Sequence, residues 1–231
     1  MSRLTGFLFI IFLFFPFQRS LAYTVTYGQR LCHSDANLTC IVVKKNDTWT
    51  SLWPNEAQQN MAMRINRTNT RLYPGMQLVV PDKMSASDIL NLLPFPENIA
   101  PQDYKTILVS TKGLAWAAYD ENGAMVRWGP ASTGRSFCPD IGEKCTTPAG
   151  KFTIYRKGTE NCESSEFPVP NGGAPIPYCM FFKSGFALHG SDEIPGYNAS
   201  HGCVRIFTED AQWLNQNFII TGSTRVIVDK G

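Results

Sequence analysis

Seven cysteines stand among the 231 residues, and their spacing limits what this chain can fold into. Six fall as close couples: Cys32 with Cys40, Cys138 with Cys145, and Cys162 with Cys179. Each couple can staple a local loop, although six cysteines admit other pairings. Such a framework persists in an oxidising compartment, and an odd count leaves one thiol over. Cys203 is the candidate for that thiol. No Cys-x-x-Cys pair occurs, which argues against reading the cysteines as metal ligands.

The N-terminus offers a route to that compartment. Arg3 precedes an apolar run over residues 4–17, and the small residues Ser20 and Ala22 bracket a cleavage position. Residues 1–22 therefore read as a signal peptide, with the mature chain starting at Tyr23. An uncleaved membrane anchor is the competing reading, against which Pro16 and Gln18 interrupt the run short of the ~20 apolar residues that span a bilayer; after cleavage no stable membrane insertion is expected. Roughly 200 residues then remain, room for one sizeable core and a small accessory unit. Formal charge is +2 with both signs mixed along the chain, so a concentrated nucleic-acid-binding footprint is absent. A monomer is expected. Asn37, Asn46, Asn66 and Asn198 each begin an Asn-x-Ser/Thr triplet, a glycan acceptor only in a eukaryotic secreted protein.

Residues 23–40 form an N-terminal segment, and residues 41–82 read as a self-contained unit. Ile41-Val42-Val43 has the character of a strand, and Asp47-Thr48 caps a helix carrying Trp49, Leu52 and Trp53. Residues 55–67 suit a second helix, and 76–80 a closing strand after the Tyr73-Pro74-Gly75 turn. Residues 83–102, with Pro94, Pro96 and Pro101, read as a linker wrapped on the next unit.

From residue 103 to 231 strand signals recur at 106–110, 114–119, 124–128, 151–155, 180–182, 186–188 and 225–228. One helix is expected at 208–218, capped by Thr208, with Glu209 and Asp210 at its positive end and Ala211, Leu214 and Phe218 as its buried stripe. The fold class is thus a mainly β domain with a late helix, joined to a small α+β domain.

Cys203 lies in the run Ser200-His201-Gly202-Cys203-Val204-Arg205, and two of the three histidines, His189 and His201, lie shortly upstream. An imidazole is the usual device for turning a thiol into a thiolate at neutral pH. If His201 and Cys203 share a strand, their side chains stand about 6.6 Å apart, too far for an easy direct bond. A histidine on a neighbouring segment can approach within ~3 Å, which makes His189 the better base. Gly202 lacks a Cβ, so the amides of Gly202 and Cys203 are the oxyanion-hole candidates. Arg205 offers a planar fork for a substrate carboxylate, or else serves as a structural ion-pair partner. Ser200 and His201 are read as substrate-binding residues that shape the pocket, with a structural role as the alternative. A zinc site from His189, His201 and Cys203 lacks a fourth ligand, and a papain-like protease would place its cysteine before its histidine. No metal and no cofactor are expected.

Lys45-Asn46-Asp47-Thr48-Trp49 and the later run from Leu72 through Pro74-Gly75 to Pro81, in strand, helix, helix, strand order, resemble the LysM family of glycan-binding modules. The usual glycine before Asp-Thr is Asn46, which tolerates positive φ nearly as well. The likeness implies binding to N-acetylglucosamine-containing chains, the glycan strands of peptidoglycan ahead of chitin, with a small packing subdomain without a ligand as the alternative. His189-Gly190, the run from Ser200 to Arg205, Ser132-Thr133-Gly134 and Thr147-Pro148-Ala149-Gly150-Lys151-Phe152 together resemble the YkuD-type L,D-transpeptidases, cysteine enzymes that cross-link bacterial peptidoglycan. This second likeness spans residues 103–229. It implies a YkuD-type β-sandwich, a nucleophile at Cys203, a base at His189 and an orienting carbonyl at Gly190. It further implies peptidoglycan stem peptides as partners, a periplasmic or cell-wall location, and a part in wall biogenesis and cell shape. Residues 137–145 and 168–178 depart from the compact family pattern and are expected to rim Cys203. The acceptor therefore stays open among a diaminopimelate amine, a protein lysine and water. An L,D-carboxypeptidase, a protein-attaching variant and a non-catalytic wall-binding protein are the competing readings.

Overall fold

The computed structural model describes residues 24–35, 37–81, 84–166 and 173–230. The expected signal peptide and residues 168–172 of the second departing stretch lie outside the described residues. Among the described residues no helix is long and apolar enough to cross a membrane.

In the N-terminal unit, β1 (Cys40–Val42) pairs antiparallel with β2 (Gln77–Val79), and α2 (Trp49–Leu52) and α3 (Glu56–Asn66) lie between them in sequence. Local chemistry sets the helix ends. Asn46 takes φ 75°, and Thr48 and Ser51 form a reciprocal capping box at the start of α2. The Asn55 side chain accepts from the Gln58 amide to cap α3, and Arg67 ends it in the left-handed region. Trp49, Trp53, Ala62, Leu72, Met76 and Leu78 close a small core of their own. Asn66 is buried there, its amide donating to the carbonyls of Ala62 and Val79, so its Asn-x-Thr triplet is closed to glycan attachment.

Two short helices were not expected. α1 (Tyr27–Ser34) has a Thr26/Gln29 capping box, packs on β2, and is tied to β1 by the Cys32–Cys40 disulfide. The 83–102 segment contains α4 (Ala86–Asn91), started by a Ser85/Asp88 capping box. Helices this short draw their stability from packing and caps rather than from a readable apolar period. The rest of this segment is bonded to residues 119–125. Ile99 donates to Gly123 O, Met125 to Glu97 O, and the Tyr119 hydroxyl to Pro96 O at 2.6 Å.

The larger unit is a two-sheet sandwich. Its five-stranded sheet runs β5 (Met125–Pro130), β4 (Ala115–Tyr119), β3 (Thr106–Ser110), β11 (Arg225–Val228), β6 (Gly150–Thr153). Its four-stranded sheet runs β10 (Val204–Ile206), β9 (Phe186–Gly190), β8 (Met180–Lys183), β7 (Arg156–Lys157). Alternate residues of both sheets fill the space between them. Ile107, Trp116 and Val226 from one sheet meet Met180, Leu188 and Val204 from the other, and each buried aliphatic side chain contributes about 2 kcal/mol. β7 and β10 were missed in the sequence because strands of two and three residues carry almost no alternation of their own.

α5 (Thr208–Trp213) packs against β9, and its stripe of Ala211, Leu214 and Phe218 is buried as expected. Its start differs from expectation. Phe207 occupies the cap position without a side-chain cap bond, and the Thr208 hydroxyl donates to Asp192 instead. Beyond Trp213 the helix widens into a π turn, Leu214–Phe218, where Asn215 O accepts from Lys157 Nζ and the Asn215 amide donates to Gly158 O.

The two units are locked together. Arg64 on α3 reaches Glu209 and the fully buried Asp210 on α5, and also donates to Trp128 O. Arg67 is buried between the rings of Tyr27 and Trp128, 5.0 and 5.3 Å from their centroids, and donates to the carbonyls of Arg64 and Leu92. Asn69 exchanges bonds with Ile194 and donates to Ser191 O, and Tyr27 N donates to Gly196 O. These last contacts hold residues 191–196, the segment that leads from β9 toward Cys203.

Candidate active site

The site lies on the outer face of the four-stranded sheet. β9 and β10 run parallel with Leu188 opposite Val204 and His189 opposite Arg205. Leu188, Val204 and Ile206 point into the sandwich core, so alternation sends His189 and Arg205 outward, together with Ala187 and Cys203. Cys203 immediately precedes β10, and continuing the register places it opposite Ala187, two residues from His189 on the neighbouring strand. Ile176 and Cys179 of the Cys162–Cys179 loop pack on this face with Phe181 of β8.

Cys203 is the unpaired cysteine; the other six form the three local disulfides that proximity suggested. Its thiol points to Gly185 O at 3.8 Å. Burial pushes its pKa up, the Ala187 amide pulls it down, the Glu166 charge raises it and the Arg205 charge lowers it. His189 is buried, and burial drops its pKa to about 4 against the partial support of the Gly190 carbonyl. Nδ1 lies 2.9 Å from Gly190 O, so Nδ1 carries the proton and Nε2 is the basic nitrogen. Both shifts favour the uncharged forms, a neutral thiol at Cys203 and a neutral imidazole at His189.

The turn that presents Cys203 is built from buried hydrogen bonds. Ser200 Oγ donates to Cys203 O at 2.5 Å and accepts from Gly202 N at 3.0 Å. Thr147 Oγ1 donates to Gly202 O at 2.7 Å and accepts from Gly134 N at 2.9 Å. Gly202 has φ +125°, and a Cβ there would stand 2.5 Å from the Phe186 ring. Only glycine fits.

These bonds bear on three expectations. Ser200 is 2% exposed with its hydroxyl engaged in both directions, which favours its structural role in shaping the turn. The Gly202 amide is occupied by Ser200 Oγ, which leaves the Cys203 amide as the oxyanion candidate. His201 does not share a strand with Cys203, because β10 begins only at Val204; its Nε2 instead meets Asp140 Oδ2 at 2.6 Å. Asp140 belongs to the loop closed by the Cys138–Cys145 disulfide, so this loop flanks the turn as a rim.

Arg205 Nη1 donates to Glu193 O at 3.2 Å and lies 3.9 Å from that residue's carboxylate. Gly190 has Thr208 Cα 2.9 Å from where a Cβ would be, so β9 and α5 can approach closely only at a glycine. His189, His201 and Cys203 do not gather as a metal site among the described residues. Cys138, Asp140 and His201 do come within 4.8 Å of one another, but Cys138 is held in a disulfide and cannot ligate.

The YkuD model for the L,D-transpeptidase catalytic domain matches residues 104–228. The chain belongs to the L,D-transpeptidase family.

This transpeptidase domain resembles the L,D-transpeptidase from Xylanimonas cellulosilytica, at 25% identity and a TM-score of 0.55, covering 74% of this chain and 79% of that one. Weaker likenesses include L,D-transpeptidase 3 from Mycobacterium tuberculosis, at 19% identity and TM-score 0.45 over 84% of this chain and 92% of that one. The Stackebrandtia nassauensis L,D-transpeptidase matches at 17% identity and TM-score 0.47 over 77% and 68%. No curated protein matches the chain. Several residues that shape the transpeptidase site were invisible in the sequence. Asp140, Glu166 and Glu193 lie in loops, and only folding brings them to His201, Gly185 and Arg205.

Proposed function

We propose that the protein is an exported L,D-transpeptidase that acts on peptidoglycan stem peptides, with Cys203 as nucleophile and His189 as general base. The observation that carries this reading is the free Cys203 thiol on one sheet face with a buried imidazole whose Nδ1 is tied to Gly190 O. His189 Nε2 takes the thiol proton as sulfur attacks the amide between the third-position diamino acid and the terminal D-alanine. The C–S bond forms, the C–N bond breaks, and His189 returns the proton to the leaving amine. An amine of a second stem then attacks the thioester, its proton passes to His189, and the thiol is regenerated. The Cys203 amide faces the developing oxyanion.

The three disulfides support an exported protein. The strand, helix, helix, strand unit at residues 41–82 supports a LysM-like module that holds the enzyme on glycan strands, with residues 1–22 as the leader and 103–231 as the catalytic domain. Arg205 stays a candidate for the substrate carboxylate, because its guanidinium is only loosely held by Glu193. Mass spectrometry of a tetrapeptide stem incubated with residues 23–231 tests the reading. D-alanine release and a cross-linked product are expected from the wild type and not from Cys203→Ala. Equal turnover by that variant would overturn it.

A further inference from the structure

We propose that Glu166 recruits the acceptor as an ammonium group, so that the thioester is resolved by a primary amine in preference to water. The inference rests on the thioester chemistry above and concerns the second half-reaction.

Glu166 lies in the loop closed by the Cys162–Cys179 disulfide. Its carboxylate stands against the turn between β8 and β9, with Oε1 3.2 Å and Oε2 4.0 Å from the point where a Cβ on Gly185 would be. The carbonyl of the same Gly185 accepts from the Cys203 thiol at 3.8 Å. A single residue therefore separates the carboxylate from the nucleophile. Gly185, at φ +88°, leaves the approach open where a side chain would be strained.

A negative charge in this place opposes the first half-reaction, because it disfavours the thiolate. Among the described residues Glu166 has no ion-pair partner, and it is exposed to incoming molecules. The neighbouring cations have other attachments: Arg205 to Glu193, Arg135 to Ala199 O at 2.7 Å, and Lys183, beside the same turn, over the Phe152 ring at 5.4 Å. The carboxylate thus gives the mouth of the site a negative side. Once acylated, Cys203 carries no charge, and the penalty on the thiolate no longer applies.

A primary amine arrives as an ammonium ion, whereas water arrives neutral. Glu166 concentrates the first and does nothing for the second. The docked ammonium releases one proton to solvent, and the neutral amine attacks the thioester carbon. Its second proton passes to His189, the C–N bond forms, and the C–S bond breaks. The chemistry is shared by the side-chain amine of a diamino acid in a second stem and by a lysine side chain of a protein.

The test follows the fate of the acyl-enzyme. Wild type, Glu166→Gln and Glu166→Asp are given a soluble tetrapeptide stem as donor, with either a diaminopimelate-containing stem or a lysine-containing peptide as acceptor. Aminolysis and hydrolysis products are each normalised to the D-alanine released by the same variant. Glu166→Gln should lower the aminolysis-to-hydrolysis ratio about tenfold through a higher acceptor KM, and Glu166→Asp should recover part of it. Added salt should depress aminolysis in the wild type and leave Glu166→Gln little changed. A fall with the stem acceptor alone assigns the amine to the wall, and a fall with the lysine peptide alone assigns it to a protein. An unchanged ratio with normal D-alanine release would overturn the role of Glu166 and leave the transpeptidase reading standing. No D-alanine release from the wild type would overturn both.

Discussion

Arg64 and Asp210 form a two-pronged ion pair between the two units, Nη1 to Oδ2 at 2.9 Å and Nη2 to Oδ1 at 2.8 Å. Asp210 is fully buried, and Arg127 also reaches its Oδ1 at 2.8 Å. Arg64→Ala removes one of the two guanidinium groups that meet this buried carboxylate and leaves it to Arg127 alone, so the unfolding free energy should fall by about 2 kcal/mol. Urea denaturation measures this. A loss below about 1 kcal/mol would place the pair among weak surface bridges.

Asn69 should affect turnover although it lies in the N-terminal unit. It exchanges bonds with Ile194 and donates to Ser191 O, in the segment between His189 and Cys203. Glu193 in that segment holds Arg205. Loss of such positioning by Asn69→Ala should slow D-alanine release about tenfold or more. A unit on a free tether would be removable without effect on a soluble donor, and unchanged kinetics in this variant would favour that picture.

Thr147→Val removes the hydroxyl that joins Gly134 N to Gly202 O. A buried amide left without a partner costs about 1–3 kcal/mol. The turn before Cys203, the proposed nucleophile, loses one of its supports as well, so both the melting temperature and the acylation rate should fall. Thr147→Ser, which keeps the hydroxyl, should restore most of each.

For the general base, His189→Ala should slow acylation by about 10²- to 10⁴-fold. His201→Ala should have a much smaller effect, because its Nε2 is directed to Asp140. Stopped-flow acylation by a carbapenem, expected from the family likeness to capture the thiol, compares the two. A larger effect at His201 would reverse the assignment.

Burial of His189 should also appear in the pH dependence of stability. Its pKa is about 4 in the folded protein against 6.5 for a free imidazole, so between these values the unfolded chain binds more protons. The contribution is intact above pH ~6.5 and is lost as pH falls toward ~4, to about 3 kcal/mol in all. Below that both states are protonated and the loss stops. His189→Gln should flatten this part of the curve in urea titrations, and an unaltered slope would show that the imidazole is solvated in the folded state.

Much of the architecture was legible because it rests on short-range chemistry. Strand runs such as Thr106–Ser110 and Arg225–Val228 declare themselves by composition, and Thr48 and Asn55 mark helix starts by their own side chains. The helices at Tyr27–Ser34 and Ala86–Asn91 were not legible, since neither carries an apolar stripe long enough to read.

At the site, the residue types in the run from Ser200 to Arg205 pointed to a thiol and a histidine, and the odd cysteine count left one thiol over, for which Cys203 was the candidate. Those are properties of the chain alone. Which amide is free, where His201 points, and what Glu166 faces were decided only on folding, because each depends on segments far apart in sequence meeting at one turn. Ser200 drew the hydroxyl and the Gly202 amide inward, the Cys138–Cys145 loop carried Asp140 to His201, and α3 supplied the arginine that α5 buries. Hydrogen-bond partners of a buried polar group are chosen by proximity in space, and a one-dimensional pattern carries that information only where the partners are neighbours along the chain.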